Sequence, residues 1–228
     1  MLRLSLLTAL LGHMAAIPAG SYRPLYAGDA GAAHIAAFSI DREPVTRAQF
    51  IAFARTRPDW QHGLDLTDDR SARPITDVTW FAARAYCASR GKRLPTTAEW
   101  EYVASADERR RDATRDPAYS RRLVALYTTR PEARVGGAGE RFRNVYGVSA
   151  LHGVVWEWTE DFDGTPRDLH GMRGMHHQDD GLEHMPSCAG AAIGAANLTD
   201  YAAFMRYAFR AGLTRTSAHQ MLGFRCAA

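Results

Sequence analysis

The sequence predicts one α+β domain, with a few short helices and small antiparallel sheets joined by much irregular structure. Between residues 46 and 127, apolar residues recur at helical spacing behind recognisable caps. Short apolar runs near the start stop at Gly, Pro and Asp, and from residue 144 onward helical periodicity is weak and short apolar runs alternate with Gly. With 228 residues, 46% hydrophobic and 10% aromatic, the chain can build one sizeable core and is too apolar for general disorder. There is no internal repeat, and no linker divides it.

At the N-terminus, Arg3 precedes an apolar run over residues 4–11, and then come Gly12, His13, Met14, Ala15 and Ala16. This is the layout of a signal peptide over residues 1–16 with a cut after Ala16, which makes the mature chain periplasmic or secreted. The competing reading is a buried first strand. No other run approaches the roughly 18 apolar residues of a membrane span, so no span is expected in the mature chain.

Residues 17–22 read as a strand, and residues 34–40 as a second one that stops at Asp41-Arg42-Glu43-Pro44. Thr46 caps a helix carrying Phe50, Phe53 and Ala54. A loop follows, with Pro58, Gly63 and several acids, before a second helix that puts Trp80, Ala83 and Cys87 on one face and Gly91 at its left-handed end. Thr96 and Glu99 stand at capping-box spacing ahead of Trp100, Val103 and Ala104 and start a third helix. Leu123, Val124, Leu126 and Tyr127 mark one more, followed by a Gly-rich loop at residues 135–139. Residues 163–200 read as loop.

The charge balance of 28 Lys and Arg against 25 Asp and Glu gives +3, and all but one of the cations are Arg spread along the chain, so nucleic acid is not an implied partner. The densest basic stretch (Arg109, Arg110, Arg111, Arg115, Arg121 and Arg122) alternates with Asp107, Glu108, Asp112 and Asp116 and reads as a solvated helix face. Three cysteines, Cys87, Cys188 and Cys226, allow one disulfide and a leftover thiol, or no disulfide at all.

Five blocks, in order, resemble the formylglycine-generating (sulfatase-modifying factor) family. They are Ile17-Pro18-Ala19-Gly20-Ser21-Tyr22; Phe38 to Thr46 with Gln49-Phe50; Ala85-Tyr86-Cys87 with Gly91-Lys92-Arg93-Leu94-Pro95-Thr96 and Ala98-Glu99-Trp100-Glu101-Tyr102; Asn144 and Gly147 with Leu151-His152-Gly153 and Val155-Trp156-Glu157-Trp158; and Leu222-Gly223-Phe224-Arg225-Cys226. The resemblance implies a variant of the C-type lectin fold and a disulfide between Cys87 and Cys226. The short insert at residues 107–140 and the phrase at residues 200–210 look most like a compact bacterial branch found beside copper nitrite reductases.

Family oxidases hold copper(I) between two cysteines just before an Arg-rich strand. Setting Arg206 and Arg210 on that strand puts Ala202 and Asn197 where the cysteines belong, and neither supplies a thiolate. The usual conversion of cysteine to formylglycine is therefore not expected. The family's calcium site is half retained, with Gly153, Val155 and Glu157 as candidates but Ala150 where a side-chain oxygen is wanted. Trp156, Trp158, Tyr201, Arg206 and Arg210 are the candidate lining of a peptide-binding groove.

One cluster owes nothing to the resemblance. His170, Met172, Met175, His176, His177, His184, Met185 and Cys188 gather imidazole, thioether and thiol in one loop, the donor set that copper prefers. The bland alternative is a surface loop with incidental histidines. Three functional readings follow: an exported accessory or maturation factor engaging a partner protein such as a periplasmic copper enzyme; an oxidoreductase acting on a protein thiol through a relocated metal site at Cys188; or a lectin-like module that binds without chemistry.

Overall fold

The computed structural model describes residues 13–24, 31–61, 63–128, 142–164 and 198–228. Strand β1 (Met14–Ile17) pairs antiparallel with β4 (Phe38–Asp41), and β2 (Gly20–Tyr22) pairs antiparallel with β3 (Ala33–Ile35). Each expected early strand is thus two, broken at Pro18 and between Ile35 and Phe38. Helices α1 (Arg47–Ala54), α2 (Trp80–Ser89), α3 (Thr97–Ala104) and α4 (Pro117–Thr128) follow. Then come β5 (Trp156–Glu157), α5 (Leu198–Ala211) and β6 (Leu222–Gly223), with β5 and β6 running parallel. Two sheets are antiparallel as expected and the third is not.

The local signals explain the helix starts. Thr46 with Gln49, and Thr96 with Glu99, form reciprocal capping boxes, and Thr79 accepts the Ala82 N–H at the head of α2. Gly91, at φ +68°, takes the left-handed turn that releases the chain from α2.

One expectation changes here, and the expected cut meets a structural constraint. Residues 14–16 belong to β1, with Ala15 fully buried against β4, so a cut after Ala16 would remove three of that strand's four residues. Any processing that spares the sheet lies upstream of Met14. Residues 109–116 form turns instead of a helix face, because Asp107 accepts from the backbone N–H groups of Arg109 and Arg110 and its carboxylate draws in the Arg110 guanidinium.

The main core joins α1 and α2 to the residues just after β5 and β6 through Phe50, Phe53, Tyr86, Trp158 and Phe224. A second core packs β1 and β4 against Trp100 and Val103 of α3, and a third lies between α4 and α5. The C-terminal residues close the fold. Ala227 exchanges two backbone hydrogen bonds with Arg93, and Ala228 exchanges two with Ser39. Among the described residues, no helix is long and apolar enough to cross a membrane.

A disulfide joins Cys87 on α2 to Cys226, 139 residues later. Closing so long a loop in the unfolded chain stabilises the fold by on the order of 5 kcal/mol in the chain-entropy model. The double substitution Cys87→Ala/Cys226→Ala should lower the denaturation free energy by about 2–5 kcal/mol, and reductant should act on the parent protein but not on the variant.

At the turn before β5, Gly153 has φ +77°, and a Cβ there would meet the Leu126 carbonyl oxygen at 2.9 Å and its Cβ at 2.8 Å. This glycine is required by conformation and by the close approach of α4. Gly153→Ala is expected to cost at least about 2 kcal/mol in denaturant titrations, with α4 the first helix to lose amide-exchange protection.

Candidate functional site

Arg206 and Arg210 do not lie on a strand. They stand one turn apart on α5, with Ala202 one turn before them, so all three project from one helix face. That face is buried: Ala202 is 1%, Arg206 6% and Arg210 4% exposed. The pattern reads as polar in sequence, but the polar side is turned inward.

Both guanidiniums close on Glu101 of α3. Arg206 donates to it through Nε at 3.0 Å and Nη2 at 2.6 Å, and Arg210 through Nη1 at 2.6 Å. Burial raises the carboxyl pKa, but the two adjacent cations and their hydrogen bonds more than offset this and hold it down at about 2. Trp100, the preceding residue, offers its ring face to the same cations, 4.8 Å from the Arg210 guanidinium and 5.6 Å from that of Arg206. Its Nε1–H donates to Glu157 at 2.7 Å.

Glu157, on β5, is fully buried with Arg225, which donates Nε and Nη2 to its two oxygens at 2.7 Å. Arg225 spends its remaining donors on the carbonyls of Asp41, Arg42 and Ser149. Trp100 therefore bridges two buried ion pairs.

His152 extends the network. Its Nε2 reaches the Ala104 carbonyl at 3.2 Å, which makes Nε2 the protonated nitrogen and leaves Nδ1 to accept from the Tyr127 hydroxyl at 2.8 Å. Arg206 donates to that same hydroxyl. Desolvation, reinforced by the charge of Arg206, pushes the imidazole pKa down to about 3, so His152 is neutral.

The five residues expected to line a groove do not share one surface. Trp156 is stacked between Tyr127 and Phe209, at centroid distances of 5.1 and 4.5 Å, and with Arg206 and Arg210 it borders a cavity of only about 10 Å³. That is room for about one water molecule. Trp158, just beyond β5, is fully buried in the main core, with its N–H on the Val78 carbonyl, and does not border the cavity. Tyr201 is half-buried beside Phe204 and does not border the cavity.

The sulfatase-modifying factor enzyme 1-like domain family model matches residues 8–228. This chain belongs to that family. It is 33% identical over 165 residues to inactive C-alpha-formylglycine-generating enzyme 2 of Bos taurus, an alignment covering 68% of this chain and 50% of the relative. It is 30% identical over 193 residues to the formylglycine-generating enzyme of Mus musculus, covering 74% and 48%. With hercynine oxygenase of Mycolicibacterium thermoresistibile it shares 34% over 119 residues, covering 50% and 26%. This sulfatase-modifying factor family member thus spans about half the length of the formylglycine-generating relatives it matches, or less.

Ala202 and Ala150, which the resemblance sets at the family's metal positions, supply no side-chain donors for those metals. Ala202 packs its methyl group into the apolar cluster of Leu123, Leu126 and Tyr127, with no donor atom for copper(I). Ala150 has no side-chain oxygen for calcium, and the charge of Glu157 is already neutralised by Arg225. Asn197, candidate catalytic Cys188 and the candidate copper loop at residues 170–188 lie outside the described residues.

Glu101, Trp100, Tyr127, His152 and Arg225 are the site residues that sequence reading did not single out. A usable signal was present for Glu101, an acid within the apolar face of a capped helix and preceded by tryptophan.

The network makes acid stability a direct readout. His152 has a folded pKa below its ordinary 6.5, so the unfolded chain binds a proton the folded one refuses, and stability falls as pH drops from about 6.5 towards 3. Glu101, held at about 2 against an ordinary 4.5, adds a further loss below about 4.5. His152→Phe should flatten the upper part of the stability-versus-pH curve. Glu101→Gln, which leaves two guanidiniums buried against a neutral amide, should destabilise by about 3–5 kcal/mol at pH 7.

Proposed function

We propose that this protein is an exported accessory or maturation factor that recognises a partner polypeptide and does not perform the copper-dependent cysteine oxidation of its family. The observation that carries this reading is Ala202, dry and packed on the helix face whose next two turns place Arg206 and Arg210 on Glu101. A metal thiolate pair has no second member at that position. Similarity to a relative named as inactive supports the reading, and the disulfide suits an oxidising compartment such as the periplasm. Because of the resemblance at residues 107–140 and 200–210, a periplasmic copper enzyme of the nitrite reductase type is the first partner to test.

A second reading, an oxidoreductase with a relocated site, draws on the density of His, Met and Cys at residues 170–188. One set of experiments separates the two. Incubated with copper(I), oxygen and a cysteine-bearing sulfatase peptide, the protein should leave the peptide mass unchanged and consume no oxygen. Thiol-dependent oxygen uptake that disappears in Cys188→Ser would overturn the accessory reading in favour of the oxidoreductase. Copper(I) titration against a competing chelator, beside His176→Ala/His177→Ala/Cys188→Ser, tests the metal itself. One-to-one binding lost in the variant assigns copper to the loop, and equal weak binding in both leaves an accessory factor without metal.

A further inference from the structure

A much larger concavity than the one beside Trp156 lies away from the Arg206–Glu101 network. It is an open cleft of about 430 Å³ where the end of β4, the head of α1 and the tail of α2 meet around Cys226, and it shares no lining residue with the small cavity beside Trp156. Arg42, Arg90, Lys92 and Arg143 face it, against Asp41 and Glu43. Lys92 and Asp41 neutralise each other at 2.6 Å. The three arginines are different. Arg42 donates only to the Tyr146 and Gly147 carbonyls, Arg143 to the Ser149 hydroxyl, and Arg90 lies over the Tyr86 ring. None of them has a carboxylate partner among the described residues, whereas Arg47, Arg84, Arg122 and Arg215 each hold one.

We propose that this cleft is an anion-binding site in which Arg42, Arg90 and Arg143 grip a ligand bearing carboxylate or phosphate groups. Guanidinium forks match such planar or tetrahedral oxyanions, and a concave protein surface focuses their field. The floor is pre-organised. Arg225 fixes the Asp41 and Arg42 carbonyls, and the Cys226 N–H and Lys92 fix the Asp41 side chain, so little ordering is left to offset binding. Glu43, exposed and without an ion-pair partner among the described residues, opposes an anion and sets a limit on affinity.

The experiment is isothermal titration of the full chain, at low and high salt, with inorganic phosphate, with citrate and with an acetylated Glu/Asp hexapeptide. Arg90→Gln/Arg143→Gln changes two exposed side chains outside the core, so its circular dichroism and melting should match the parent. The expected result is saturable, salt-sensitive binding of at least one probe, weakened about tenfold or more in that variant and tightened in Glu43→Gln. Binding of phosphate or citrate without the peptide identifies a free small anion as the ligand, and binding of the peptide identifies an acidic polypeptide segment. Absence of binding by every probe at low salt, or equal affinity in the parent and the folded double variant, would overturn the proposal.

Discussion

A carboxylate buried between two guanidiniums organises this molecule. Glu101 sits on a helix that the Thr96 capping box starts, and Arg206 and Arg210 come from a helix about a hundred residues later, so the ion pairs tie distant parts of the chain. None of these charges would remain in an apolar interior alone, because an unpaired ion there loses hydration worth several kcal/mol. Each is therefore tolerable only when all three are in place. This makes the α3–α5 arrangement specific as well as stable.

Trp100 carries that constraint to the second buried pair. Its ring face meets the cations on Glu101 while its N–H holds Glu157, and Glu157 orients Arg225. Arg225 in turn fixes the backbone at Asp41 and Arg42, the floor of the cationic cleft. The filled interior around Trp156 and the open cleft around Arg90 and Arg143 are thus built on one hydrogen-bonded frame. The disulfide secures the same region from below, since Cys226 follows Arg225 directly.

The family's scaffold is retained here, and Ala202 and Ala150, which the resemblance sets at its metal positions, carry no side-chain metal donors. A methyl group occupies position 202, and a guanidinium neutralises the carboxylate at Glu157. On the surface, Arg42, Arg90 and Arg143 face one cleft with no carboxylate partner among the described residues.

Much of this was legible before any coordinates. The helix heads at Thr46 and Thr96 follow from local capping chemistry, and the turn at Gly91 follows from the conformational freedom of glycine; both act over a few residues and are written into adjacent letters. The blocks from residue 17 to residue 226 carried the fold. Helix α5 was not legible, because its buried face carries Arg206 and Arg210, and charge at helical spacing looks the same in sequence whether it meets water or a buried partner. The partner, Glu101, is about a hundred positions away, so only the tertiary structure could decide that these arginines close the interior and that those at 42, 90 and 143 stay open.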